Sequence, residues 1–214
     1  EPERCWAVNA DGTRYIAEAC RIYKAKMLYV STDYVFPGDG DAHYLPDAPT
    51  GPKGNYGRTK LAGELAVQAM LSEYFIVRIS WVFGINGSNF VKTMLKLSET
   101  RDTLTVVCDQ IGSPTYTADL SRLLADMVET EKYGYYHATN EGGYISWGDF
   151  AKEIFRQAGC NVDVQPVTTA EYGLSKAARP FNSRLDKSKL AENGFEPLPT
   201  WKDALVRYLK EIEE

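Results

Sequence analysis

Tyr56-Gly57-Arg58-Thr59-Lys60 leads into an Ala- and Leu-rich stretch, Leu61 to Leu71, after a loop rich in Gly and Pro, Ala48 to Gly54. The composition predicts a helix, and residues i and i+4 share one helix face. The Tyr56 phenol and the Lys60 ammonium are therefore expected to point into one cleft. A tyrosine titrates near about 10 and is a poor acid or base at neutral pH. A cation beside it favours the phenolate and draws the pKa toward the working range. The pair reads as a proton-transfer device, although Tyr and Lys at this spacing also occur on ordinary solvated faces.

Two apolar runs flank this helix. Lys26-Met27-Leu28-Tyr29-Val30 is of strand type and ends in Ser31-Thr32-Asp33, followed by Tyr34-Val35-Phe36-Pro37-Gly38. Tyr74-Phe75-Ile76-Val77-Arg78-Ile79 is a second strand, ending in Ser80-Trp81-Val82-Phe83-Gly84. Open α/β sheets place their ligands at the C-terminal ends of strands, so Ser31, Thr32 and Asp33 sit where a ligand is expected. Such an end can equally be a turn closed by side-chain-to-backbone hydrogen bonds.

Further outward, helical spacing predicts helices over 8–24, with Asn9 or Asp11 as cap, and over 89–99, 117–131, 146–158, 185–193 and 201–212. Short strands are expected at Leu104–Val107, Tyr135–Thr139 and Val162–Val167. Strands alternating with helices place the chain in the α/β class, with a mostly parallel sheet. A dinucleotide-binding fold opens with a strand and a G-x-G-x-x-G turn into a helix, with an acidic residue about 20 positions later. No such unit occurs here. The Gly51-Pro52-Lys53-Gly54-Asn55-Tyr56-Gly57 series has similar spacing but carries a proline and overlaps Tyr56.

The 214 residues, 44% hydrophobic and 25% charged, are ordinary for a globular domain. A net charge of -5 argues against nucleic acid or an anionic membrane as partner. No apolar run approaches the ~20 residues that span a bilayer, and a cytoplasmic setting is expected. Cys5, Cys20, Cys108 and Cys160 lie far apart, with neither C-x-x-C spacing nor nearby histidines, so free thiols are expected rather than zinc or disulfides. His43 and His137 read as structural, and no metal-ligating residue is singled out.

The order strand, hydroxyl, loop, Tyr-x-x-x-Lys helix, strand, Ser-Trp resembles the extended short-chain dehydrogenase/reductase family. The resemblance covers essentially the whole chain and narrows to the dTDP-4-dehydrorhamnose reductases. It rests on Val8–Ala10, Ser31–Phe36, Tyr56–Glu64, Arg78–Gly84, Asn89–Met94, Asp109–Thr115 and Arg179–Leu185, of which the last two are the most specific. Thr32-Asp33-Tyr34 stands where related dehydratases carry Thr-Asp-Glu; removing a C6 hydroxyl needs that extra acid–base pair and reducing a ketone does not.

The resemblance implies a Rossmann-like sheet with helices on both faces and a small C-terminal substrate-binding region. Residues 1–115 would be the C-terminal part of the dinucleotide-binding domain. Residues 116–214 would be mainly substrate-binding, with some segments returning to the sheet. By analogy the first four strands precede Glu1, and the 214 residues by themselves are expected to be inactive. The implied reaction is NADPH-dependent reduction (NADH being the alternative donor) of the C4 ketone of dTDP-4-dehydro-L-rhamnose to dTDP-L-rhamnose. Thr32, Tyr56 and Lys60 would be catalytic; Ser31, Tyr56 and Lys60 would meet the cofactor; Thr32, Asp33, Trp81, Asn89 and Arg184 would meet the dTDP-sugar. Mg2+ and a homodimer enter by the same resemblance. Two rivals fit it as well: a non-catalytic regulatory subunit of the methionine adenosyltransferase type, and a related sugar-nucleotide reductase or epimerase.

Overall fold

The computed structural model describes residues 1–173 and 179–213. It opens with a long helix: α1 (Pro2–Trp6) runs through a π-helical segment, Ala7–Gly12, into α2 (Thr13–Tyr23). The expected start at Val8 thus lies inside the helix, and Asn9 and Asp11 cap nothing. Pro2 in the first turn was the signal for the true start. Lys24, in the left-handed region at φ 52°, ends α2.

Then follow β1 (Met27–Thr32), a 3-10 turn at Asp33–Val35, α3 (Asn55–Met70), β2 (Tyr74–Ile79), β3 (Val82–Phe83), α4 (Phe90–Ser98) and β4 (Thr103–Val107). The chain continues through β5 (Ile111–Gly112), β6 (Thr115–Tyr116), α5 (Thr117–Val128), β7 (Gly134–His137), β8 (Ile145–Ser146), α6 (Trp147–Ala158) and β9 (Asp163–Val167). α7 (Thr169–Tyr172), β10 (Asn182–Ser183), α8 (Ser188–Glu192) and α9 (Trp201–Glu213) complete it.

The main sheet is parallel, in the order β1-β2-β7. β2 alternates its faces: Ile76 packs with Ala17 of α2 and Val67 of α3, whereas Phe75, Val77 and Ile79 pack with Leu120, Leu123 and Met127 of α5. Helices therefore cover both faces, as an α/β sheet with near-continuous apolar strands requires. A second core gathers Val91 and Met94 of α4, Leu104 and Val106 of β4, Ile154 of α6 and Leu205 of α9. Here β4 pairs in parallel with β9.

The expected division at residue 115 does not follow these cores. Phe83 to Val106 belong to the second core together with Phe150 to Val164 and Trp201 to Leu209, while Leu120 to Ala138 and Leu190 to Leu198 return to the main sheet, as expected of some segments after residue 115. Burial by the later helices decides membership, and chain order does not.

Candidate active site

β1 delivers Thr32 to the C-terminal edge of the sheet, and the chain turns at once. Thr32 Oγ1 accepts the Tyr34 N–H at 3.3 Å and donates to Asp33 Oδ1 at 2.9 Å. Asp33 Oδ2 accepts the Ser183 hydroxyl of β10 at 2.5 Å. Burial pushes the Asp33 carboxyl up to about 6, against the pull of the Ser183 and Thr32 hydroxyls.

α3 can begin this close to the turn because residue 57 is glycine. A Cβ there would overlap the Tyr34 carbonyl oxygen and touch Pro52. Tyr56, in the first turn of α3, stands edge-on to Tyr34, with ring centroids 5.5 Å apart. Desolvation holds its phenol above the ordinary tyrosine value, and the Thr32 hydroxyl draws it back. One turn on, Lys60 Nζ donates to the Val30 carbonyl at 2.8 Å and lies 4.0 Å over the Tyr29 ring. Desolvation lowers its pKa to about 8, opposed by Glu64 and Cys5. The expected lowering of the Tyr56 pKa by Lys60 is therefore not seen: the ammonium is turned to Val30 and Tyr29, and the phenol stays high.

Beyond Asp33 lie three neighbouring cavities of about 520, 240 and 160 Å³, each bordered by Arg179. Trp81 and Trp147 stack at 3.7 Å and line the two larger ones. Trp81 has φ 50°, a conformation that non-glycine residues rarely adopt and that concentrates at functional sites. Its carbonyl accepts the Thr115 N–H at 3.1 Å. Gly112 lets the Trp81 ring and Ser183 close together, since a Cβ there would sit 3.0 Å from both. Gln110, buried at the same wall, donates to Thr169 of α7 at 3.0 Å.

A proton donor, a hydroxyl, a cation and an aromatic wall beside a cavity are the parts for reducing a carbonyl in a polar ligand. The RmlD substrate binding domain family matches residues 1–214. A dTDP-4-dehydrorhamnose reductase of Streptomyces griseus is 45% identical over 213 residues, covering 96% of this chain and 69% of that protein. The spore coat polysaccharide biosynthesis protein SpsK of Bacillus subtilis is 42% identical over 212 residues, covering 99% and 73%. A crystal structure of dTDP-4-dehydrorhamnose reductase from Bacillus anthracis, in complex with NADP, superposes with a TM-score of 0.94 at 44% identity, covering 99% of this chain and 74% of that one. The chain belongs to the dTDP-4-dehydrorhamnose reductase family.

Within this reductase-family chain, the structure groups Thr32, Asp33, Tyr56 and Lys60 at one sheet edge, with Trp81 across the cavity. Three expected contacts sit elsewhere. The Ser31 hydroxyl donates to Glu64 Oε1 at 2.5 Å, inside a buried cluster with Arg78, and is not turned to a cofactor. Asn89 caps α4: its Oδ1 accepts the Lys92 N–H at 3.0 Å, and its Nδ2 donates to the Gly84 carbonyl and the Tyr208 hydroxyl, each at 2.9 Å. Arg184 donates to Asn182 Oδ1 at 3.0 Å and borders none of the three cavities. Arg179, five residues earlier in the same motif, borders all three. Gln110, Ser183 and Trp147 also border the site; the first two lie in motifs already singled out, and Trp147 lies in the helix expected over 146–158.

Proposed function

We propose that this protein reduces the C4 ketone of dTDP-4-dehydro-L-rhamnose to dTDP-L-rhamnose, for surface polysaccharide, with NADPH as donor. The observation that carries this is the meeting of the Thr32 hydroxyl and the Tyr56 phenol at the end of β1, in a chain of this family. When bound, the reduced nicotinamide supplies the hydride. Tyr56, protonated throughout the neutral range, gives its proton to the oxygen that becomes the C4 hydroxyl. Thr32 offers the second hydrogen bond to that oxygen. Donors aimed at developing negative charge are commonly the largest catalytic contribution.

Lys60 fits the ribose next to the nicotinamide. An ammonium has three N–H donors, and only one is engaged by Val30. We assign no residue to the cofactor phosphates: among the described residues no glycine-rich turn leads from a strand into a helix. Trp81 and Trp147 form the wall for the sugar nucleotide, and Arg179 offers its exposed guanidinium to the diphosphate. Mg2+ finds no ligand set, since no group of three His, Cys, Asp or Glu suited to a metal ion occurs among the described residues. None of their helices is long and apolar enough to cross a membrane, and we place the reaction in the cytoplasm.

Tyr56→Phe, made in a version of this protein that carries a complete dinucleotide-binding domain, tests the assignment. Loss of a positioned proton donor is expected to lower kcat by about 10² to 10⁴, with sugar-nucleotide affinity held within several-fold. Turnover like the wild type, followed by NADPH oxidation, would remove Tyr56 as the acid.

A further inference from the structure

Thr32 has a single hydroxyl proton and more than one claimant for it. Its Oγ1 is 2.9 Å from Asp33 Oδ1, accepts the Tyr34 N–H, and acts on the Tyr56 phenol. An ionised carboxylate only accepts hydrogen bonds. While Asp33 is charged, the hydroxyls on its two oxygens must both donate: Thr32 to Oδ1 and Ser183 to Oδ2. Thr32 then presents only lone-pair density to Tyr56 and to any ketone oxygen beside it. That opposes the negative charge that grows on the oxygen during reduction.

A proton taken from solvent by Asp33 reverses the direction. The carboxyl O–H is given to Thr32 Oγ1, the Thr32 hydrogen swings to the reacting oxygen, and Ser183 continues to donate to the other carboxyl oxygen.

We propose that Asp33 is a positioning residue: by holding or losing one proton it decides whether Thr32 donates its hydrogen bond to the reacting oxygen or withholds it, and Ser183 sets that balance. This rests on the reductase reading of Thr32 and Tyr56. The enclosure is tight, with Thr32, Asp33 and Ser183 at 5%, 3% and 2% exposure. The titratable and charged groups facing Asp33 are Tyr34 beside it in the chain, Tyr56 from α3, and Arg179 across the cavity. Burial places the carboxyl near 6, inside an accessible pH range. A ligand that displaces water from the adjoining cavity adds desolvation and favours the protonated form further.

The test reads Asp33 directly. The 214-residue chain is labelled with carboxyl-13C aspartate and titrated by NMR, and the resonance missing from Asp33→Asn identifies residue 33. A midpoint near 6 is expected, moving upward in Ser183→Ala, because removing a donor to the carboxylate disfavours the ionised form. A midpoint at the ordinary value of about 4, or one that Ser183→Ala leaves unmoved, overturns the proposal. In the NADPH-oxidation assay, run on a version of this protein that carries a complete dinucleotide-binding domain, kcat should rise as pH falls through that midpoint. Ser183→Ala should carry this limb upward in step with the NMR value, and Asp33→Asn should abolish it. A limb that survives in Asp33→Asn also overturns the proposal. Because the titration needs no turnover, failure of the reductase reading and failure of this inference are distinguishable.

Discussion

Lys60 shows how a single residue can be chemically ready and energetically strained. Its ammonium bonds the Val30 carbonyl and lies over the Tyr29 ring, and desolvation lowers its pKa to about 8 against the help of Glu64 and Cys5. The folded-state value lies below the ordinary one, so the proton is lost as pH rises through about 8 and the cation is intact below it. If the cation is needed beside Tyr56 and the ribose, kcat/KM for reduction falls as pH rises through about 8. Lys60→Arg keeps the charge and should move that limb upward while lowering the plateau. A wild-type profile flat between pH 7 and about 9 would show that the Lys60 charge is not needed. At this scale Tyr56 and Lys60 were legible because helix spacing alone puts them on one face. The Asp33–Ser183 bond was not, because its partners are 150 residues apart and nothing in either of their motifs pairs the two. Asn89 uses its amide on the near neighbours Gly84 and Lys92 and, across the fold, on Tyr208, and Arg184 bonds Asn182 two residues away. The resemblance that named them as sugar contacts gave no hint of these structural bonds.

The helix of Tyr56 and Lys60 continues the same face to Glu64. Glu64 is fully buried and receives Arg78 of β2 through two bonds, at 2.9 and 2.7 Å, together with the Ser31 hydroxyl of β1. Arg78 also donates to the Pro46 carbonyl at 2.9 Å. This cluster ties α3, β1 and β2 together directly behind Thr32. Removing one partner leaves a buried, uncompensated charge, so Glu64→Ala should cost about 3–5 kcal/mol, measured by urea denaturation. The double variant Glu64→Met with Arg78→Met removes both charges and should cost clearly less. Equal losses in the two would show that packing volume, and not charge, is what the cluster provides. Elements of this length were readable from apolar runs and helical spacing. The two-residue strands β3, β5, β6, β8 and β10 are too short to carry any period, and the π-helical turn breaks the 3.6-residue repeat that the helix expected over 8–24 depends on. Tyr-x-x-x-Lys spacing announced a site on α3, yet nothing in a single helix announces the strand arginine that anchors it.

Across the whole molecule, the two cores are joined through a buried carboxylate. Asp119 of α5 accepts two bonds from Arg207 of α9, each at 2.8 Å, and one from Asn140 at 2.7 Å. Asn140 Oδ1 in turn accepts the Tyr116 N–H at 2.7 Å, in the stretch that returns from the Trp81 wall. The α/β class and parallel pairing followed from the alternation of apolar runs, whereas this joint could not, because it forms only where α9 folds back over α5. Arg207 is the removable part. It is partly exposed, its side chain 38% accessible, while that of Asp119 is 7% accessible. Arg207→Ala should therefore leave Asp119 with the Asn140 donor alone and cost about 1–3 kcal/mol, near the lower end because the guanidinium is partly solvated. The Tyr56 side of the site lies against the main sheet and the Trp81–Trp147 side against the second core. Loosening the joint should thus raise KM for the sugar nucleotide more than it lowers kcat. A lowered melting temperature with unchanged KM would mean that the bond stabilises the fold without setting the distance between the two sides of the site.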